Sequence, residues 1–116
     1  MTGRGFAALG AIACGVSVAL AAFAMHGADG HAREQLAMAA VFAFAHGLAL
    51  VAIASRDSRV ATLARIALAL GIVLFCGSLV GAALFAWPTA AAPAGGFALM
   101  AGWAILAVDF LGRPKP

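Results

Sequence analysis

The chain has 116 residues, of which 66% are hydrophobic and 9% charged; its mean hydropathy is +1.09. Soluble domains use roughly 45–50% apolar and about 25% charged residues, which excludes a water-soluble globule. The net charge of +3 is not gathered into a basic cluster with interleaved aromatics, so no nucleic-acid partner is expected.

Spanning about 30 Å of hydrocarbon takes roughly 20 helical residues at about 1.5 Å each. Four runs of that order carry almost no charge: 6–25, 36–54, 64–86 and 95–111. Each is longer and more uniformly apolar than a barrel strand, which alternates over roughly 10 residues, and Ala and Leu dominate over β-branched residues. The expected fold is all-α, a single transmembrane domain over residues 1–116 built as an integral-membrane four-helix bundle in a lipid bilayer. The connections are too short to hold a soluble domain.

Arg4, Arg56, Arg59, Arg65, Arg113 and Lys115 fall at the amino terminus, the second connection and the carboxyl terminus, and only Arg33 lies on the other side. The positive-inside rule then predicts both termini and the second connection in the cytoplasm of a bacterial-type inner membrane. A competing reading makes the first span a signal peptide, with Arg4 as its basic region and Ala22-Phe23-Ala24 as an A-x-A cleavage site. The apolar run exceeds the usual 7–15 residues or so of such a segment. Its removal would also leave the termini on opposite sides, against the arginine distribution, so a retained span is expected.

In the first span, Ala7, Ala11, Gly15 and Ala19 recur every fourth residue. This smooth stripe suits close helix approach where lipid removes the hydrophobic drive. The first connection, "HGADGHARE", brings His26, Asp29, His31 and Glu34 together as a candidate outer-rim ligand site, although Arg33 opposes a cation there. Asp29-Gly30 is turn chemistry, and Glu34 suits the first turn of the second helix through its dipole.

The second span carries His46 near the bilayer midplane, inside "VFAFAHGLAL". An unsatisfied buried polar group costs roughly 1–3 kcal/mol, so the ring needs a partner. Ser17 and Ser78 lie at comparable depth on neighbouring spans and are the candidates. The readings are an interhelical bond that fixes register, a ligand or quinone contact, and a proton relay. Cys14 and Cys76 share this depth, but without close C-x2-C spacing and beside glycines they read as packing residues, and no metal is expected.

In the polar turn "SRDSRVATLAR", Ser58 is the candidate cap of the third helix and Arg65 is expected to snorkel toward headgroups. Gly77 and Gly81 in "GSLVG" form a GxxxG packing face. In "WPTAAAPAGG", Trp87 suits the interface belt, Pro88 and Pro93 interrupt the helix, and Gly95 and Gly96 relax the re-entry. Near the end of the fourth span, Asp109 sits one turn before Arg113, which predicts an i, i+4 pair; the alternative partner is Arg65.

Four landmarks in order, "AAFAMHG" (21–27), "HGLAL" (46–50), "GIVLFCGSL" (71–79) and "PAGGFALMAGW" (93–103), resemble the family of small membrane proteins grouped as domain of unknown function 423. The resemblance covers most of the chain. It implies the four-helix membrane fold and no agreed activity, and it matches His26 and His46 to the family's two histidines. The Tyr- and Gln-containing stretch that the family carries before its second histidine reads Phe42, Ala43, Phe44 and Ala45 here. The network implied around His46 is correspondingly thinner.

Catalysis finds no support: there is no Ser-His-Asp grouping, no paired carboxylates and no phosphate-cradling loop, and no cofactor is expected. The leading expectation is a non-catalytic accessory or assembly subunit that packs against other membrane-protein subunits or against itself. The alternatives are a small oligomeric transporter or channel, and a quinone, haem or metal binder using His46.

Overall fold

The computed structural model describes residues 1–112. The helices are α1 (Gly3–His26), α2 (Gly30–Ile53), α3 (Arg59–Gly71), α4 (Gly77–Phe85) and α5 (Ala91–Gly112), with a π turn (Ile72–Cys76) joining α3 to α4. Because α3, the π turn and α4 run on as one rod, there are four helical rods long and apolar enough to cross a membrane. No strand occurs among the described residues. Arg113 and Lys115, and with them the expected Asp109–Arg113 pair, lie outside the described residues.

The rods begin earlier than the apolar runs because the polar flanks can start helices. Thr2 Oγ1 accepts the Gly5 N–H at 3.2 Å, and Ser58 Oγ accepts the Ala61 N–H at 2.9 Å, each satisfying a donor that the first turn cannot pair internally. Ser58 is therefore the cap expected of it. The connection expected over "HGADGHARE" shrinks, since α2 already starts at Gly30, whose φ of 57° only glycine adopts without cost. Glu34 consequently sits beyond the first turn. The third connection shrinks likewise: Pro93, Gly95 and Gly96 are helical residues of α5 rather than its approach. Proline is tolerated there because the N–H groups of a first turn have no intrahelical acceptor.

α1 lies along α2, and α3 lies along α5. α2 and the third rod form the middle of the bundle, while α1 and α5 stand on opposite sides and do not meet. The molecule measures 52 × 24 × 21 Å. The start of α1 packs on Ala54, and Asp109 near the end of α5 is held by Arg56, so the α1 start and the α5 end share one rim with the α2–α3 turn. We call this the termini rim and the other the distal rim.

The backbone approaches are closest at glycines other than those the GxxxG pattern suggests. A Cβ on Gly47 would lie 2.6 Å from the Gly10 carbonyl oxygen, one on Gly102 2.7 Å from Leu68 Cδ2, and one on Gly95 would strike the Phe75 backbone. By contrast nothing lies within 4 Å of a Cβ on Gly77, and Gly81 is covered by Trp87, just past the end of its own rod. The α1 stripe is likewise turned outward: Ala11, Gly15 and Ala19 are exposed, and the buried face carries Phe6, Gly10, Ala13 and Ser17. Small-residue spacing marks a smooth face without saying which way it points.

The π turn decides which way the third rod points. Below it α3 packs mainly on α5; above it α4 packs mainly on α2, and the turn itself touches both. The extra residue in a π turn offsets the helix faces on either side, which lets one rod change partner along its length. As α4 leaves α5 for α2, a gap opens toward the distal rim. α4 then ends at Ala86, in the left-handed region (φ 56°), and the Trp87 N–H returns to the Gly81 carbonyl at 3.2 Å.

Candidate functional site

His46 is buried, at 7% exposure, and both its ring nitrogens are engaged. Nδ1 lies 2.8 Å from the Phe42 carbonyl oxygen, one turn earlier, and Nε2 lies 3.0 Å from Trp103 Nε1 on α5. A carbonyl only accepts and an indole N–H only donates. Nδ1 therefore carries the proton and Nε2 accepts, which fixes a neutral tautomer. Using Nε2 as a ligand to haem or metal would require giving up the bond to Trp103.

The expected partners do not serve His46. Ser17 Oγ donates to the Cys14 carbonyl on its own helix at 2.6 Å, and Ser78 Oγ is buried without a hydrogen-bond partner. Trp103 is the residue that sequence reasoning missed. Its signal was its depth: a tryptophan away from the interface belt carries a donor into hydrocarbon, where no water is available to accept it.

A ladder of rings joins this bond to the distal gap. Trp103 meets His46 edge-on at 5.8 Å between centroids, and His46 stacks on Phe42 at 5.6 Å and 6°. Phe42 in turn tilts against Phe75 of the π turn at 4.7 Å. Phe75 lines a cleft of about 470 Å³ at the distal end, between α2, α4 and α5. His31, Gln35, Phe42 and His46 are spaced four, seven and four apart, which puts them on one face of α2. On α5, Ala92, Gly96 and Trp103 repeat the spacing with small residues at the first two positions. A face with bulk opposite a face without it leaves the cleft.

The termini rim holds a second polar cluster. Arg56 Nε and Nη2 each donate to Asp109 Oδ2 at 2.7 Å, and Ser58 Oγ donates to Oδ1 at 2.6 Å. The Arg56 guanidinium also lies 3.9 Å from the Phe110 ring centroid. Arg65 does not snorkel outward. It is 6% exposed and gives Nη1 to the carbonyls of Ile53 (3.0 Å) and Arg56 (2.9 Å) and Nη2 to Thr62 Oγ1 (2.9 Å). The last carbonyls of α2 have no intrahelical donor, and a forked five-donor guanidinium suits them better than open headgroups do. Asp109 is held by Arg56 and Ser58, reached across the bundle from the α2–α3 turn, and not by Arg65, whose guanidinium is engaged elsewhere; the expected pairing with Arg113 lies outside the described residues.

Of the four candidate outer-rim residues, His31 and Glu34 are the two that pair among the described residues, at 3.5 Å and with both side chains largely exposed. His26 and Asp29 do not join them, and among the described residues no three His, Cys, Asp or Glu side chains gather as a metal set. Cys14 Sγ faces the Phe44 carbonyl at 3.6 Å; Cys76 is buried, and both thiols are free.

The profile of a family described as protein of unknown function (DUF423) matches residues 20–96. That stretch takes in His46, the π turn and the distal cleft, and stops short of Trp103 and Asp109. No solved structure matches the chain.

Proposed function

The chain belongs to the DUF423 family, proteins of unknown function, and from that premise we propose that it is a non-catalytic accessory or assembly subunit of a larger membrane complex. In this reading it resides in a bacterial-type inner membrane, with the termini rim toward the cytoplasm and the distal rim outside. The arginines at the termini rim support that orientation.

The observation that carries the proposal is a contrast between inside and outside. Within the spans, His46 and Ser17 are answered by groups of the same chain. On the outside, Ala11, Gly15 and Ala19 of α1 and Gly77 of α4 offer smooth backbone that no helix of this chain covers. Small residues favour helix contact over lipid contact because they allow close dispersion packing. An imidazole with both nitrogens occupied is also a poor station for a proton path. This weighs against the transporter reading.

A photo-crosslinking side chain introduced at Ala11 or Gly77 in native membranes tests the proposal. A discrete adduct to a different, larger protein is expected at both positions, and adducts to a second copy of the chain alone would overturn the accessory reading in favour of a homo-oligomer. Adducts to lipid alone at both would also overturn it.

A further inference from the structure

We propose that the distal cleft is a binding site for the headgroup of a lipid-soluble quinone: a planar, uncharged ring bearing carbonyl acceptors on an apolar tail. The site is distinct from His46, and the inference does not depend on the subunit reading.

The lining supplies the chemistry. Polar groups stand at the mouth, where Gln35 and Thr89 offer an amide and a hydroxyl donor, and apolar groups lie below, with Phe75 and Leu79 toward the middle of the membrane. The volume, about 470 Å³, is within the roughly 300–1,000 Å³ of small-molecule sites, which are mostly apolar with a few placed polar groups. No residue lining the cleft carries an ammonium or guanidinium, and the one titratable side chain at its mouth, His31, is paired with Glu34. Neutral donors and a flat ring suit carbonyl oxygens on a planar headgroup. They do not suit a phosphate, which draws arginine, lysine or clustered backbone donors. The Phe75 ring is backed by Phe42, which stacks on the His46 ring held by Trp103, so the platform is fixed from behind.

Gly96 lines the cleft, and a Cβ built there meets nothing within 4 Å. A side chain at this position therefore starts into open space, and a bulky one extends into the cleft. Gly112, whose Cβ also meets nothing, closes α5 at the termini rim, away from the cleft, and is the matched control.

The experiment uses the full chain in phosphatidylcholine nanodiscs, with a benzoquinone carrying a ten-carbon tail as the probe and tryptophan fluorescence quenching as the readout. Saturable quenching is expected, with the dissociation constant at least tenfold weaker in Gly96→Phe, several-fold weaker in Gln35→Leu and Thr89→Val, and unchanged in Gly112→Phe. Decylbenzene, which has the tail and a ring but no carbonyls, should compete at least tenfold less well than the quinone. If Gly96→Phe does not fold, Gln35→Leu and Thr89→Val decide the matter. Non-saturable quenching, equal binding by the cleft variants and wild type, or equal competition by decylbenzene or by phosphatidylglycerol would each overturn the proposal.

Discussion

The bond between His46 and Trp103 links two helices, α2 and α5, whose backbones do not pack on each other, so its energy should be measurable as a coupling. His46→Leu removes the acceptor and leaves the indole N–H facing hydrocarbon; Trp103→Phe removes the donor and leaves Nε2 unpaired. Hydrogen bonds between membrane helices average about 0.6 kcal/mol and reach about 1.7. Trp103 is 46% exposed, but the exposed side meets lipid, which offers no alternative acceptor. A cost of about 1 kcal/mol is expected for each single change. The Nδ1 bond to Phe42 adds little, because that carbonyl already serves the helix. The double variant should cost less than the sum, leaving a coupling of about 0.6–1.7 kcal/mol. His46→Gln, which keeps an acceptor of similar reach, should lose less than His46→Leu. Reversible unfolding in mixed micelles titrated with sodium dodecyl sulfate measures all four proteins. Additivity within about 0.3 kcal/mol would refute the claim that this bond holds α5 to α2.

The glycine approaches predict a ranking: Gly95→Leu and Gly102→Leu should each destabilise by about 1–3 kcal/mol through overpacking, whereas Gly77→Leu should leave the isolated chain unchanged. Equal melting of all three in detergent would contradict it. At the termini rim, Asp109→Ala should cost about 1–3 kcal/mol, since it leaves the part-buried Arg56 and Ser58 without their shared acceptor. Thermal melting checks this, and a cost below about 0.5 kcal/mol would show the cluster to be an idle surface pair. For orientation, cysteines at the exposed positions Asp57 and Asp29 should differ with an impermeant thiol reagent, with Asp29→Cys labelled from outside intact cells and Asp57→Cys only after lysis. Labelling of Asp57→Cys from outside would invert the topology.

The four rods were legible because hydrocarbon thickness and the cost of unpaired backbone leave few alternatives to apolar helices. The Ser58 cap was legible for a local reason, since a hydroxyl three residues before a free N–H needs no tertiary information. What escaped was direction around the helix axis. Ala7, Ala11, Gly15 and Ala19 have the spacing of a packing face, yet Gly10, Ala13 and Ser17 are the residues packed, because both stripes are smooth and lipid does not choose between them. His46 was correctly singled out as needing a partner, but depth alone could not distinguish Ser17, Ser78 and Trp103. Arg65 escaped for a similar reason: a long side chain at a span edge reaches headgroups and the carbonyls of a helix end and turn equally well, and only the position of Ile53 and Arg56 decides.

The π turn makes the third rod a matter of counting. An α-helix advances about 100° per residue, so losing one residue between Ile72 and Cys76 would swing every α4 side chain by that angle relative to α2 while α3 kept its setting on α5. Exchanging one apolar side chain for another there changes local packing and leaves the setting alone. The segment therefore holds its information as a number of residues rather than as their identities, and in this stretch a single-residue gap between two relatives would mean more than several substitutions.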